Sequence, residues 1–285
     1  MSSSCELVNT YEVLEHVMGI KGLHPHRLDT IRDMMWRLAQ HVSNNAVLLA
    51  EGIVLDIGCG SGAGTRELAA MFGPKQQIIG IDINLQAIEH ARTQYSDMPN
   101  LQFHHGDIKS FLSAQPNLKI SAAICISVSM FIHDVSQFYR DIFYALMEGG
   151  IFIDAPFMFR EAESEKFHHR TYSVCGCNMN MFQINQLQLI LSDAGFENMN
   201  CIEHNFDLMK LPILFHDYPA RFLMGNFLKN IISPPEYFGK ITSTYLLIRT
   251  LRIFLFFLKN KHRYAGGELV AMKGHSEQSG KLTGQ

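Results

Sequence analysis

One short segment, residues 54–64, constrains the fold of this chain more than any other part of it. The segment begins with apolar residues interrupted only by Asp56, and glycine then occupies every second position from Gly58 to Gly64. Glycine permits a tight turn and lets a ligand approach the backbone, and the residues that follow have helical apolar spacing. A helix that begins directly after such a turn presents unpaired N–H groups. The segment therefore predicts a ligand-binding loop between a buried strand and a helix.

The alternation of short apolar runs and longer amphipathic stretches continues to about residue 203. Strand–helix–strand units place their strands side by side in parallel, with helices covering both faces of the sheet. The pattern therefore predicts an α/β fold, closed by a last strand at 267–272. The other predicted strands are 53–57, 77–81, 101–105, 122–127, 150–153 and 197–203, and the predicted helices between them are 64–72, 85–95, 135–147 and 183–194.

The regions outside this alternation indicate how the chain is divided into a core and additional segments. Residues 1–50 have helical periodicity around 9–18 and 27–42 and are expected to form an N-terminal helical cap. Residues 51–204 form the predicted core, 205–263 a helical insertion, 264–273 the last core strand and 274–285 a disordered tail.

Charge and composition exclude several classes of protein. The formal net charge of −3 argues against a nucleic-acid-binding protein. Six scattered cysteines and the lack of a basic, then apolar, leader predict a reducing, cytoplasmic setting. The most apolar stretch, 245–258, contains Arg249 and Arg252 and is shorter than the roughly 18 residues that a membrane span needs.

Three carboxylates follow successive predicted strands or lie within them. Gly58, Gly60 and Ala63 fit a dinucleotide-binding fingerprint, but Asp56 two residues earlier would repel a pyrophosphate and suits a ligand with an ammonium and a sulfonium. Asp82, at the end of the second predicted strand, can accept hydrogen bonds from ribose hydroxyls. Asp107 follows the third strand in a position to meet an adenine edge.

Together these motifs resemble the class I S-adenosylmethionine-dependent methyltransferases. The resemblance rests on residues 54–62, on 79–82, on 105–108 and on 146–150, where Met147 and Glu148 depart from the usual Lys-Pro. It implies a Rossmann-like, seven-stranded, mostly parallel sheet with an antiparallel last strand, N-terminal helices and a helical insertion before that strand. It also implies S-adenosyl-L-methionine as cofactor and a small-molecule acceptor.

The resemblance assigns the cofactor-binding residues. The glycines of the loop would lie under the methionine part of the cofactor, Asp82 would hold the ribose, Asp107 the adenine amine, and Ile126 would line the sulfonium side. The full predicted set is Asp56, Gly58, Cys59, Gly60, Gly62, Asp82, Ile83, Asp107, Ile108 and Ile126.

The acceptor side is less specific in sequence. His133 follows the fourth strand and is the candidate general base, and Asp154 ends the fifth strand on the same rim. Cys175 and Cys177 are too few for a zinc site, so no metal is expected. Two other functions stay open: a nucleotide-cofactor oxidoreductase of the NAD type, and a catalytically silent cofactor-binding protein.

The insertion at 205–263 has an unusual composition. It contains nine Lys and Arg against three Asp and Glu, a charge of +6, and 11 aromatic residues. Arg249, Arg252, Lys259 and Arg263 follow at helical spacing and predict a single basic stripe. The insertion is expected either to be buried against the sheet edge or in a homodimer, or to form a lipophilic acceptor cavity or a peripheral contact with anionic lipid.

Overall fold

A computed structural model of the protein describes residues 28–205, 220–233 and 243–274. In these ranges eight strands form one mixed sheet in the order β3-β2-β1-β4-β5-β8-β6, and β7 also pairs with β8. The strands are β1 (Ile53–Ile57), β2 (Ile78–Asp82), β3 (Leu101–His105), β4 (Ile120–Ile126), β5 (Leu146–Ala155), β6 (Phe157–Phe159), β7 (Glu197–Asn205) and β8 (Tyr264–Met272).

Helices connect most of these strands and cover both faces of the sheet. None of the helices in the described ranges combines the length and apolarity needed to cross a bilayer. The helices are α1 (Leu28–Ser43), α2 (Ala46–Glu51), α3 (Ala63–Phe72), α4 (Leu85–Gln94), α5 (Ile108–Ala114), α6 (Val135–Ala145), α7 (Glu165–Cys175), α8 (Ile184–Asp193), α9 (Ala220–Ile232) and α10 (Ser243–Asn260).

The parallel strands β3, β2, β1, β4 and β5 form the centre of the sheet. Their side chains alternate between two apolar layers, since successive residues of a strand point to opposite faces. Val54 packs with α1, α3 and α4, whereas Leu55 packs with α5, α6 and α8. Because both faces are covered, the central strands are mostly apolar, whereas the edge strand β3 alternates between buried and exposed residues. The α/β fold predicted from the sequence is confirmed.

The sheet has eight strands, where the sequence predicted seven. β5 and β6 pair with β8 in one continuous antiparallel register, and Pro156 alone separates them. Proline has no N–H group to donate to a neighbouring strand, so the strand is interrupted there. Its carbonyl still accepts a hydrogen bond from the Gly267 N–H at 2.8 Å. β8 is antiparallel to all its neighbours, as predicted, and begins three residues before the predicted 267.

Helix α1, which lies within the predicted N-terminal helical cap, is part of a layer on the sheet. Met34 and Leu38 are fully buried against the sheet strands and α3. The partly exposed Arg37 forms an ion pair with Glu268 of β8, which is 2% exposed and also accepts from His204 Nε2 at 2.7 Å. This contact ties α1 to the last strand. The earlier predicted helix around 9–18 lies outside the described residues.

The described parts of the insertion pack with α7 and β6. α9 and α10 bury apolar side chains against a group that we call the apolar rim cluster. The members used below are Met130, Phe157, Met179, Ile253, Phe257 and Tyr264. Met130 belongs to the segment that directly follows β4, so the cluster extends from the insertion to the carboxyl end of the parallel strands.

The prediction of a single basic stripe is wrong. Arg249 is buried at 3% exposure, with a nitrogen 3.4 Å from the Ser173 carbonyl oxygen, whereas Arg252 and Lys259 are exposed. Arg263 follows α10 in a 3₁₀ turn, where it pairs with Glu163 and lies 4.3 Å from the ring centre of Phe167. Arg249 thus lies on the buried side of α10 and Arg252 and Lys259 on the exposed side, a division that the spacing of charges alone does not reveal.

Candidate active site

The loop between β1 and α3 has the backbone conformation that its glycines predict. Gly58, Gly60 and Gly62 have φ angles of +76°, +53° and +84°, a region that side-chain-bearing residues rarely adopt. Gly62 is the N-cap of α3 and has no side chain with which to cap it. The N–H groups at the start of α3 that no side chain caps therefore lie in a turn at the carboxyl end of β1.

The three glycines differ in what surrounds them. A Cβ atom on Gly58 would lie 2.1 Å from Val128 Cγ2, and one on Gly62 would lie 2.8 Å from the ring of Phe103. A Cβ on Gly60 would have no atom within 4 Å. Gly58 and Gly62 are thus required by protein packing, whereas Gly60 borders open space. This is the geometry that a ligand lying against the loop backbone needs, and it fits the predicted cofactor.

Asp82 is brought directly to this loop. One of its carboxylate oxygens accepts the Gly60 N–H at 2.8 Å, and the other accepts the Asn84 N–H at 2.8 Å. Each carboxylate oxygen can accept more than one hydrogen bond, so the fixed group can still receive ribose hydroxyls. The next residue, Ile83, is 75% exposed and offers an apolar surface beside it. These positions agree with the predicted cofactor roles of Asp82 and Ile83, which stay predictions.

Asp107 has a structural role that the sequence analysis missed. It is the N-cap of α5 and accepts from the Ser110 N–H at 2.9 Å and from the Ser110 hydroxyl at 2.7 Å. These hydrogen bonds hold the pKa of Asp107 below its usual value, so the group is an ionised acceptor. Asp107 is exposed at the end of β3, while Ile108 beside it is buried. Its predicted contact with adenine is compatible with this capping role.

Asp56 is more deeply buried than a direct ligand-binding role requires. It is 6% exposed, and its carboxylate accepts the Thr65 hydroxyl at 2.7 Å. Burial raises the pKa of Asp56 to about 6, although the Thr65 hydrogen bond opposes this. Thr65, in the first turn of α3, was not predicted. Asp56 therefore joins the glycine loop to α3 as well as adding negative charge beneath the loop.

Cys59 is a packing residue of the loop. Its sulfur occupies the space left by Gly80, where a Cβ would lie 2.8 Å from it. Burial raises the pKa of the Cys59 thiol well above its usual value, which keeps the group neutral. Its place in the cofactor site, which stays a prediction, therefore rests on its backbone and its small size.

A buried polar group lies at the carboxyl ends of β4 and β5. Ser127, directly after the buried Ile126, has a φ of +59°. Asp154 is fully buried and accepts the Tyr139 hydroxyl at 2.5 Å, and burial raises the pKa of Asp154 to about 6. Ser129 also contributes a side-chain hydrogen bond to Asp154. Among the described residues, the hydroxyl oxygen of Ser127 is buried without a hydrogen-bond partner.

Such unpartnered groups are rare in folded proteins and call for a specific explanation, such as a bound water or ligand. Together with the strained Ser127 backbone, this hydroxyl marks the rim next to the loop as a functional position. Ser127, Ser129 and Tyr139 were missed by the sequence analysis. In the sequence, Ser127 and Ser129 could have been noticed only from their place directly after β4. Tyr139 could have been noticed only from its place on α6, which leads from β4 to β5.

His133 is exposed in the segment between β4 and α6. The Asn180 side chain donates to the carbonyl oxygens of Ile132 at 2.5 Å and of His133 at 3.4 Å. The Asn180 N–H donates to the Met130 carbonyl at 2.6 Å. The segment that carries His133 is therefore held in place by the chain that follows α7, and its imidazole is left accessible. No described contact tests the predicted role of His133 as a base.

The cysteine pair offers little support for a metal site. Cys175 is buried and Cys177 is half-buried beside the end of α7. Across the described ranges, no three His, Cys, Asp or Glu side chains come together as metal ligands.

Comparison with known proteins identifies the domain that carries this geometry. The family described as "Methyltransferase domain" matches residues 54–150, which include the glycine loop, Asp82, Asp107 and His133. A sterol 24-C-methyltransferase from Aspergillus fumigatus is 27% identical over 208 residues, covering 70% of this chain and 52% of that protein. The chain thus spans about half the length of this curated relative.

Solved structures show the same fold. An S-adenosylmethionine-dependent methyltransferase from Geobacter sulfurreducens, in complex with S-adenosylhomocysteine, has a TM-score of 0.62 at 14% identity and covers 93% of this chain and 99% of that one. The [4+2]-cyclase SpnF has a TM-score of 0.62 at 19% identity and covers 94% of each chain. These likenesses support the resemblance drawn from the sequence: residues 54–150 match a methyltransferase domain, and the chain has the fold of S-adenosylmethionine-dependent methyltransferases.

Proposed function

We propose that the whole protein is an enzyme that transfers a methyl group from S-adenosylmethionine to a small, lipophilic or anionic acceptor. The observation that carries the cofactor part is the junction of Gly60 and Asp82. Gly60 borders open space, and its N–H fixes a carboxylate that can receive ribose hydroxyls. A sugar-bearing ligand with a cationic end fits a loop that has a carboxylate at its side and Asp56 beneath it.

When bound, the cofactor supplies an electrophilic methyl group on a sulfonium. Asp82 and the glycine-loop backbone at Gly60 would hold this cofactor, and the methyl group would be supplied to an acceptor bound beside it. The chain's main contribution is to align the two reactants and exclude water. For a hydroxyl or carbon acid acceptor, His133 would take the acceptor proton as a general base.

The apolar rim cluster favours a lipophilic acceptor. It contains Met130, in the segment that follows β4, packed with Phe157 and Met179, so buried apolar side chains lie close to the predicted transfer site. The Aspergillus relative acts on a sterol by its name, which agrees with an oily acceptor. The unpartnered Ser127 hydroxyl would contact the polar end of such a molecule.

A second candidate function is a protein that binds the cofactor but catalyses a different reaction or none. SpnF favours it, because the same fold there carries a cyclase. Because the fold alone does not decide the chemistry, only a measurement of methyl transfer distinguishes the two functions. An NAD-dependent oxidoreductase is disfavoured by Asp56, whose negative charge would repel a pyrophosphate.

Titration calorimetry tests the cofactor. The full chain is expected to bind S-adenosylhomocysteine and not NAD. Asp82→Ala should weaken the affinity by about 1.5–3 kcal/mol, the worth of hydrogen bonds to a charged group. Asp97→Ala, an exposed acid in the loop that precedes β3, is the matched control and should leave the affinity unchanged. Binding of NAD instead, or an unchanged affinity in Asp82→Ala, would remove the assignment.

Label transfer tests the acceptor. With S-adenosylmethionine carrying a radioactive methyl group, we expect label to enter a sterol or fatty-acid acceptor that partitions into organic solvent. Label that enters only water-soluble amines would contradict a lipophilic acceptor while leaving the methyltransferase function in place. Tight cofactor binding without label transfer to any acceptor would instead favour the silent binding protein.

A further inference from the structure

The exposed face of α10 is apolar, which is the reverse of an ordinary surface helix. Ile248, Leu251 and Leu255 are 60%, 48% and 59% exposed. At about 100° per residue these three lie within about 60° of one another around the helix axis. The opposite face is buried and apolar through Ile253 and Phe257. The helix is therefore hydrophobic on both sides, although one side faces outward.

Basic residues border this exposed face on one side. Arg252 and Lys259 are exposed. Viewed down the helix axis, both lie next to Ile248, and the two basic residues are two turns apart from each other along the helix. Neither forms an ion pair with a residue in the described parts of the chain. The sequence contains no Asp or Glu between residues 237 and 267, so no neighbour along the chain neutralises them. We call Ile248, Leu251, Leu255, Arg252 and Lys259 the α10 docking face.

We propose that the α10 docking face binds the surface of an anionic lipid bilayer. A helix that lies in a bilayer interface combines an apolar face with Lys and Arg near the phosphate level, and both parts are present here. Contiguous exposed apolar side chains on a folded protein mark a surface that is covered in use. The basic border selects the occupant, because it complements negative charge.

A second copy of the chain fits this face less well. A twofold interface places the same patch of both subunits together, so the basic residues of α10 would meet basic residues. The segment has no acid to compensate them. Like charges brought together in an interface are unfavourable. An anionic bilayer has no such conflict.

The proposal goes beyond the methyltransferase function and does not depend on the acceptor. It does place the enzyme where a lipophilic acceptor would be found, since the buried side of α10 belongs to the apolar rim cluster beside Met130.

Vesicle flotation of the full chain tests the proposal. We expect the protein to float with vesicles of phosphatidylcholine and phosphatidylglycerol, to bind weakly to phosphatidylcholine alone, and to lose binding as salt is raised, because exposed charges are screened. Two double variants probe the two parts of the face: Leu251→Glu with Leu255→Glu, and Arg252→Glu with Lys259→Glu. Each should lower the partition coefficient by about tenfold or more. The first removes apolar area that would enter the interface, and the second removes two basic residues that would face anionic headgroups.

Matched controls lie elsewhere on the surface. Leu189→Glu changes a leucine that is 65% exposed on α8, and Lys75→Glu reverses an exposed charge before β2. Both should bind vesicles as the unchanged protein does. All variants should keep their affinity for S-adenosylhomocysteine, which shows that they are folded.

Three results would overturn the proposal. They are failure of the full chain to float with anionic vesicles, flotation that neither double variant reduces, and a dimer in solution that the leucine variant dissociates without any vesicle binding. The last result would assign the face to contact between copies of the chain.

Discussion

Replacing His133 with alanine is expected to lower the rate of methyl transfer by about 10²–10⁴, the usual contribution of a general base. The imidazole is exposed on a segment fixed by Asn180, so its loss should not disturb the loop that binds the cofactor. The affinity for S-adenosylhomocysteine should therefore stay the same. The measurement is kcat with the acceptor found by label transfer, together with calorimetry of the same variant.

A matched variant separates the loss of a general base from the general effect of removing a surface histidine. His90→Ala removes an exposed histidine from α4 and should leave kcat unchanged. A decrease of less than threefold in His133→Ala would show that alignment alone carries the reaction, as for an amine acceptor that needs no base. A large loss of cofactor affinity would instead show that His133 supports the binding site.

The second large effect is expected from Gly58→Ala. The new Cβ would lie 2.1 Å from Val128 Cγ2, and the residue would have to keep a φ of +76°. Overpacking of this kind costs about 1–3 kcal/mol, and left-handed backbone about 1–2 kcal/mol more. Urea unfolding should therefore show a loss of about 2–5 kcal/mol in the free energy of unfolding. Adding Val128→Ala should recover part of that loss.

Gly60→Ala is the control for this prediction, with the opposite pattern. It has a left-handed φ too, but its Cβ would meet no atom within 4 Å. Its cost in stability should be limited to the backbone, about 1–2 kcal/mol. Its affinity for S-adenosylhomocysteine should fall nevertheless, because the new methyl group fills the open space beside the loop. Equal stability losses in the two variants would contradict the packing argument, and an unchanged affinity in Gly60→Ala would move the ligand away from the loop.

The sequence by itself determined the order and type of the core elements. Strands β1 and β3 have the predicted ends, because β1 is a short, mostly apolar run between glycines and β3 alternates Leu101 and Phe103 with polar residues. Both patterns are local properties of the sequence. The glycine loop was equally predictable, since only glycine suits three left-handed positions within five residues. Asp82 was predicted as a site residue from its place at a strand end, because the carboxyl ends of the parallel strands lie at one edge of the sheet.

Other features depended on contacts between distant parts of the chain. Pro156 splits a strand only because β8 pairs across it, and Arg249 is buried only because α10 packs against α7. The hydrogen bonds from Thr65 to Asp56 and from Tyr139 to Asp154 each join a strand to the helix next to it along the chain, and they form only when the two are packed together. Periodicity reports which side chains are apolar, but not which face meets another element. Tertiary structure alone decided that the apolar outer face of α10 is left exposed, with its basic residues at the border.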